Sequence, residues 1–579
     1  MAATPADDLP TDAATPEAKT PNARWRSGTA VEKVQRALSD MGLYLGSVDG
    51  HLDDETRAAI RVYQQGAGLK VDGKISRELF DLLNNSVKVR ELLQRLERAR
   101  KSGRDRARNA LLSHPATRDL VDVPNTERAD PTRDAEKCFV DPTVRCLLAE
   151  ASESVKAVFR PELRDWALGE ILIAEARAGL TSDAMQTVKR IRDPRLIMVA
   201  LRDIAEAEAA SGSVEDALAA AEIIPDAEKQ ADALAAITEI QVRRKDPGAA
   251  AKSVGALLAV VDAMPDALKR VAYRTRAAVA LSRAGDKAAA ARQMTVAEFE
   301  ARDTLAGMEQ GTALRYVAAA LANMSSPEKA MKLLDDITSP SERTSVLVST
   351  AEAQVRAGDA AAALATADSI ETVRFKAAVL GRIALAQAER GQREDAEATI
   401  QLALAAIERI TSAYARSFAI TRVALAMANL TGANLTGANL TGDGKSAGTG
   451  GPAPYTYEKA AETAARIDDS RLRAQTLWAI AAAERAAGDT EGAAETEHAA
   501  EQATDAIVSR LSRAWMFSEI ALTHARKGHA EAAEAAFHRG IEVARDLENA
   551  WGRARALARL AATLVELADP KPALLDEPN

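Results

Sequence analysis

Residues 349–363 read STAEAQVRAGDAAAA, and this pattern recurs along the chain from about residue 165 to the C-terminus. Each copy has an alanine-rich apolar segment of helical character, a glycine turn, and an alanine five residues past the turn. The turn glycines are Gly179, Gly212, Gly285, Gly358, Gly391, Gly488 and Gly528. Intervals of 33 residues (Gly179 to Gly212, Gly358 to Gly391) and of 40 residues (Gly488 to Gly528) are typical of repeated helix pairs. The pattern therefore predicts an α-solenoid.

Alanine occupies two fixed positions relative to these turns. Five residues after the glycines stand Ala184, Ala217, Ala290, Ala363, Ala396, Ala493 and Ala533. Seven residues before them stand Ala205, Ala278, Ala351, Ala384, Ala481 and Ala521. Small side chains at both positions let two antiparallel helices approach closely. Counting less regular turns such as Asp246-Pro247-Gly248, we expect roughly eleven helix pairs in a long superhelix.

The repeats resemble the tetratricopeptide family over about three quarters of the chain. The likeness lies in the small residue of the first helix, the turn glycine, often followed by aspartate as in Gly358-Asp359, and the alanine of the second helix. Many members of that family bind a peptide carboxylate through Lys, Arg and Asn on the inner helices. Here the residue six before the turn is Glu206, Val279, Glu352, Leu385, Ala482 or Leu522. That site is therefore not carried over, and the resemblance implies an unidentified protein partner in the groove.

The composition supports an all-α fold. Only 3% of the residues are aromatic, which fits helix interfaces built from Ala, Leu, Ile and Val better than a β-sandwich or barrel. The chain carries 75 Lys and Arg against 84 Asp and Glu, a net charge of −9 that gives no global attraction to nucleic acid. We therefore expect no nucleic-acid partner.

Residues 29–86 have a different sequence pattern from the repeats. Three amphipathic segments are separated by two glycine-rich turns, Asp49-Gly50 and Asp72-Gly73. This order predicts a compact three-helix module ahead of the solenoid.

The module resembles the peptidoglycan-binding domain found at the ends of cell-wall hydrolases and envelope proteins. The matching frame is Val34-Gln35 with Leu38, Gly46 with Asp49-Gly50, Thr56, Ala59-Ile60, Tyr63-Gln64, Gly68-Leu69 and Asp72-Gly73. The resemblance implies wall binding, with the candidate residues Asp49, Gly50, Tyr63, Gln64, Asp72 and Gly73. The same residues also suit a purely structural role, because Asp-Gly pairs form turns and an aromatic residue such as Tyr63 suits a core.

Residues 87–134 are predicted to form a basic helical linker. Val89, Leu92, Leu93 and Leu96 fall on one helical face among many arginines. The stretch would either rest this apolar stripe on a neighbouring domain or meet an anionic surface such as lipid or a teichoic-type polymer.

Cys138 and Cys146 are the two cysteines of the chain. They would close a short disulfide loop in an oxidising compartment and stay reduced in the cytosol.

The remaining segments carry low-complexity or polar sequence. Residues 1–28 are rich in Pro, Ala, Thr and Asp without an apolar core, which predicts a disordered arm rather than a signal peptide. Residues 429–454 repeat NLTGA and then run into Gly and Ser, which predicts a mobile insertion within the solenoid of residues 135–570. Residues 571–579 form a tail, and no stretch is long and apolar enough to span a membrane.

These observations favour a noncatalytic bacterial envelope scaffold. It would bind peptidoglycan through the module and partner proteins through the repeats, in the cell envelope or periplasm. The alternative is a cytoplasmic protein–protein adaptor whose module has lost wall affinity. No nucleophile motif, metal pair or carboxylate dyad stands out, so we expect no enzyme activity and no cofactor.

Overall fold

A computed structural model describes residues 28–568 except 125, 439–454 and 527. The described residues form helices and turns and contain no strand. The helices are α1 Gly28–Asp40, α2 Asp54–Gly66, α3 Arg77–Ser113, α4 Glu136–Val140, α5 Val144–Lys156, α6 Pro161–Arg177, α7 Thr181–Val188, α8 Pro194–Ser211, α9 Val214–Glu222, α10 Ala227–Arg243, α11 Pro247–Asp262, α12 Ala267–Arg283, α13 Lys287–Phe299, α14 Gly307–Asn323, α15 Pro327–Lys332, α16 Pro340–Ala357, α17 Ala360–Asp368, α18 Val373–Glu389, α19 Arg393–Ile407, α20 Ala413–Ala438, α21 Tyr457–Ala465, α22 Ser470–Ala486, α23 Thr490–Asp505, α24 Arg510–Arg526, α25 Ala530–Arg545 and α26 Ala550–Ala568.

The chain divides into two compact units, Met1–Arg106 and Ala107–Asn579. The first unit has its own core, in which Leu38, Ile60 and Leu79 are fully buried. The core of the second unit is continuous from Ala107 to Ala562. The predicted all-α fold, a small module followed by an α-solenoid, is confirmed.

Helix pairs build the second unit as the repeat pattern predicts. The turn glycines have left-handed φ angles, for example 100° at Gly212 and 87° at Gly358. Lys245 and Ser325 take the same conformation at the turns that lack glycine, with φ of 58° and 60°. Every alanine of the two predicted sets has at most 3% of its surface exposed. The small residues therefore mark the close contacts between paired helices.

Two layers of helices follow from these pairs. The inner helices are the even-numbered ones from α6 to α26, and each packs on the next inner helix along the chain. The outer helices, α7 to α25 by odd numbers, pack mainly on their own inner partners. Because adjacent inner helices touch while the outer ones splay apart, the inner helices line the inside of the curve.

The solenoid closes on itself. Helix α26 packs on α6, the first inner helix, and on α5, which takes the place of its outer partner. The eleventh pair therefore consists of helices from opposite ends of the repeat region. Its inner helix is α26, and its outer helix is α5, which precedes the first repeat in the chain. The sequence predicted a superhelix of about this many pairs; the structure adds that its ends meet in a ring.

Two predicted segments differ in the structure. The first part of the 87–134 linker is the continuation of α3, because no strong helix-breaking signal separates it from the third helix of the module. Val89, Leu92, Leu93 and Leu96 of this helix are 50–59% exposed. In the 429–454 insertion, α20 continues to Ala438, and Leu430 is buried. Residues 439–454 of the predicted insertion lie outside the described residues. So do residues 1–27 of the arm predicted at 1–28, whereas Gly28 begins α1.

Candidate functional site

The first glycine turn of the module is organised by one buried side chain. Gln35 is fully buried, and its Oε1 accepts hydrogen bonds from the backbone N–H groups of Asp49 (3.1 Å) and Gly50 (2.8 Å). Its Nε2 donates to Oδ1 of Asp49 at 3.0 Å and to the carbonyl oxygen of His51 at 2.9 Å. The turn is thereby fixed to α1.

The second turn repeats this arrangement with Gln64. Its Oε1 accepts from the backbone N–H groups of Asp72 (3.1 Å) and Gly73 (2.9 Å), and its Nε2 donates to Oδ1 of Asp72 at 3.0 Å. Gln64 is 3% exposed, and Gly73 is also buried. Two glutamines on successive helices therefore hold two equivalent Asp-Gly turns.

Asp49 and Asp72 are exposed at the surface, and their carboxylates accept hydrogen bonds within the two turns. The backbone N–H of His51 and the amide of Gln35 lower the pKa of Asp49. The backbone N–H of Lys74 and the amide of Gln64 do the same for the pKa of Asp72. These hydrogen bonds stabilise the ionised form of each carboxyl group, which is why both pKa values are lowered. The candidates Asp49, Gly50, Gln64, Asp72 and Gly73 thus form the turn framework, and their contact with a ligand stays a prediction.

Tyr63 lies apart from this framework. It is half-buried, and its hydroxyl is 3.0 Å from Oγ of Ser86. The most exposed large apolar side chain of the module is Leu45, at 92%, in the loop between α1 and α2, where Leu43 and Val48 are each 37% exposed. Exposed apolar side chains beside a rigid turn are a feature of interaction surfaces. The resemblance alone did not single them out, because the matching frame consists of residues that build the fold.

The two cysteines are joined in a disulfide that precedes the ring. Cys138 in α4 and Cys146 in α5 have Cα atoms 5.8 Å apart. The bond ties α4 to α5, the helix that completes the eleventh pair. Arg545 of α25 forms a 2.5 Å ion pair with Glu136 of α4, so this segment also contacts the C-terminal repeats.

A second candidate site is a cleft of about 480 Å³ on the inner face of the ring. Four successive inner helices line it: α10, α12, α14 and α16. Its apolar lining consists of Val242, Ala272, Val279, Ala280, Ala319 and Ala320, together with the aromatic ring of Tyr316. Its charged residues are Arg243, Arg276, Arg283, Arg356, Glu239 and Glu352.

Both acidic residues of the cleft are engaged by arginine. Glu239 pairs with Arg276 at 3.0 Å, and Glu352 pairs with Arg382 at 2.9 Å. Arg356 donates to Oδ1 of Asn323 at 2.5 Å. Three exposed arginines, Arg243, Arg283 and Arg356, also line the cleft; we call them the arginine rim.

The three arginines of the rim share one position in the repeat, which the resemblance to the tetratricopeptide family does not single out. The members of the rim stand two residues before the left-handed turn residue, as Arg356 does before Gly358 and Arg243 before Lys245. The position six residues before the turn supplies Val279 and Glu352 to the same cleft. Which of these positions converge on one cleft depends on the curvature of the ring, which spacing does not reveal.

Comparison with known proteins bears mainly on the module. Residues 27–83 match the family described as "Putative peptidoglycan binding domain". No curated protein matches the chain. The predicted resemblance of residues 29–86 to that family is therefore confirmed for nearly the same residues.

Two solved structures resemble the helical part only distantly. The crystal structure of Ton1535 from Thermococcus onnurineus NA1 is 16% identical with a TM-score of 0.28, over 62% of this chain and 98% of that one. A circular tandem repeat protein with novel repeat topology and enhanced subunit contact surfaces is 15% identical with a TM-score of 0.17, over 93% of this chain and 91% of that one. Both TM-scores are low, so the ring described above rests on contacts within this chain.

Among the described residues, no helix has the length and hydrophobicity that a membrane span requires.

Proposed function

We propose that the protein is a noncatalytic scaffold of the bacterial cell envelope that binds peptidoglycan through its N-terminal module and partner proteins through its ring. The observation that carries the proposal is the family match at residues 27–83, which falls on a compact unit with its own core. The disulfide between Cys138 and Cys146 supports an oxidising compartment such as the periplasm.

The wall-binding surface is proposed to include the exposed loop between α1 and α2. Leu45 projects there with 92% of its surface exposed, whereas Gln64 is buried and holds the second turn. A change at Leu45 should therefore affect binding without affecting folding. A change at Gln64 should unfold the module, because two backbone N–H groups would lose their acceptor.

Co-sedimentation of the full-length protein with purified peptidoglycan tests this function. We expect the wild-type protein to pellet with the wall, and Leu45→Ser to pellet several-fold less while its melting temperature stays the same. Gln64→Leu should lose both binding and the folded module. Failure of the wild-type protein to pellet, or equal pelleting by a protein that lacks residues 1–106, would overturn the assignment of wall binding to the module.

A further inference from the structure

Helix α3 carries an exposed apolar stripe within a basic stretch. Every residue of α3 from 88 to 102 is exposed. Four large apolar side chains of this stretch, each 50–59% exposed, follow the i, i+3, i+4, i+7 spacing of one helical face: Val89, Leu92, Leu93 and Leu96. We call them the α3 stripe. Contiguous exposed apolar side chains mark an interaction surface.

The charge of this stretch is opposite to that of the whole chain. Residues 87–106 hold eight Lys or Arg against three Asp or Glu, a net charge of +5, whereas the chain has a net charge of −9. Arg100 and Arg104 stand four and eight residues after Leu96, so they continue the row of the stripe along the same side of the helix. The partner must therefore accept apolar side chains and cations side by side.

Two of the three acidic residues lie on the other side of the helix. Glu91 is two residues before Leu93, and Asp105 is nine residues after Leu96. Both spacings place the carboxylate about half a turn around the helix from the stripe. Glu91 is also paired with Arg95 at 3.4 Å. The side of α3 that carries the stripe therefore attracts anions.

An anionic lipid bilayer offers an apolar phase and phosphate groups at one surface. A second copy of the helix is less suitable, because Arg100 and Arg104 would enter the seam between the helices and two stretches of charge +5 would repel each other. A dissolved anionic polymer would pair with the arginines but would leave the stripe in water. At a bilayer, arginine side chains reach the headgroups while the apolar face is buried below them.

We propose that residues 88–106 of α3 lie on an anionic lipid bilayer, with the α3 stripe inserted among the acyl chains and with Arg100 and Arg104 on lipid phosphates. The helix lies in the plane of the bilayer surface over roughly 28 Å, at about 1.5 Å per residue. The proposal goes beyond the proposed function, because it adds a lipid surface to the wall and protein partners, and it rests on neither of them.

Co-sedimentation of the full-length protein with sucrose-loaded vesicles tests the proposal. One set of vesicles contains phosphatidylglycerol mixed with phosphatidylcholine, and the other contains phosphatidylcholine alone. We expect the anionic vesicles to bind at least about tenfold more tightly, because each Lys or Arg near an anionic surface adds a factor of about five in affinity. Higher salt should weaken the binding. Equal binding to both sets, or binding to neither, would overturn the proposal.

Leu93→Gln combined with Leu96→Gln tests the stripe. The double change should weaken binding to the anionic vesicles at least about tenfold, since two apolar side chains no longer enter the acyl phase. The melting temperature should stay the same, because both side chains are exposed and glutamine suits a helix about as well as leucine. Leu402→Gln is the matched control, since Leu402 of the outer helix α19 is 54% exposed. Equal loss from this control would contradict the assignment to α3.

Two arginines compare the two sides of α3. Arg100 continues the row of the stripe, whereas Arg98, two residues earlier, lies on the opposite side, and both are exposed. Arg100→Gln should weaken binding to the anionic vesicles about fivefold, and Arg98→Gln should weaken it less than about twofold. Equal losses would show that only the total charge matters and would overturn the insertion of this face.

Soluble polyglycerol phosphate separates a bilayer from an anionic polymer. We expect this polymer to bind the protein more weakly than the anionic vesicles do. Equally tight binding of the polymer, with no effect of the double leucine change on vesicle binding, would assign the stretch to a polymer and overturn the proposal. All of these variants should pellet with peptidoglycan as the wild-type protein does, because the changes lie outside the matched residues 27–83.

Discussion

Glu170 and Arg555 are 385 residues apart in the chain, yet Nη2 of Arg555 donates to Oε1 of Glu170 at 3.1 Å. The guanidinium carbon of Arg555 also lies 4.4–4.7 Å from the ring centroids of Trp166, Trp515 and Trp551. Only 5% of the arginine side chain is exposed. One buried cation, enclosed by three indole rings and paired with a carboxylate, therefore joins the last inner helix to the first.

Replacing this arginine should weaken the closure of the ring. Arg555→Ala removes the ion pair and the cation–π contacts, and it leaves a cavity between the three tryptophans. We expect the free energy of unfolding to fall by about 3 kcal/mol, since buried charged contacts exceed surface ones. Thermal unfolding measures this loss of stability, and small-angle scattering should show a larger radius of gyration.

Arg466→Ala is the control for Arg555→Ala. Arg466 forms a 2.5 Å ion pair with Glu408, and both side chains are about half exposed. Such a pair contributes less than about 1 kcal/mol. Equal losses from the two changes would mean that Arg555 does not act as a clamp.

Stability of the ring should depend on pH through two buried glutamates. Glu484 is 1% exposed, accepts from Oγ1 of Thr496 at 3.1 Å, and has no hydrogen-bond partner for Oε2. Burial raises its pKa to about 7, and burial likewise raises the pKa of Glu175 to about 7. Because the folded pKa exceeds the ordinary value of 4.5, the stability associated with the protonated acid is complete below pH 4.5 and is lost as the pH rises through 7.

Glu484→Gln should therefore stabilise the protein above neutral pH. We expect a gain of up to about 3 kcal/mol at pH 8 and almost none at pH 4.5. A glutamine fits at this position of the repeat. At the equivalent position of another repeat, Oε1 of Gln354 accepts a hydrogen bond from Oγ1 of Thr366 at 2.8 Å. Melting temperatures of both proteins between pH 4.5 and 8.5 test this, and a difference independent of pH would contradict it. The exposed Glu491, changed to Gln, is the control.

The turn and alanine pattern was sufficient to predict the helix pairs. Ala351 and Ala363, chosen only by their distance from Gly358, are fully buried. The reason is that close packing of two helices restricts side-chain size at fixed distances from the turn, so the constraint is local in sequence.

Closure of the ring joins helices that are far apart in the sequence, so no repeated spacing of residues predicts it. The pair of α26 and α5 never appears as helix, turn and helix in the chain, because its outer helix precedes its inner helix by about 400 residues. In the module, Gln64 entered the candidate site because it belongs to the family frame. Spacing does not show that its amide turns inward to the backbone of Asp72 and Gly73.

A larger side chain at a repeat alanine should disrupt packing between a helix pair. Ala363 of α17 is fully buried, whereas Ala365, two residues later on the same helix, is exposed. We expect Ala363→Leu to cost about 1–3 kcal/mol or more, because close-packed helices must separate to admit it. Ala365→Leu should change stability by less than about 0.5 kcal/mol. Urea unfolding of both variants decides whether the alanine positions are packing contacts.

Moving α5 to the end of the chain tests how the ring is completed. In a protein that starts at Pro161, residues 144–158 would follow Ala568 through a Gly-Asp turn like that at Gly358-Asp359, restoring helix, turn and helix order to the eleventh pair. We expect this rearranged ring to be compact and helical. Residues 161–568 alone should melt well below it, because the face of α26 that normally covers the buried Leu147 and Leu148 of α5 would be exposed to water. Equal melting temperatures for the two proteins would show that α5 does not complete the last pair.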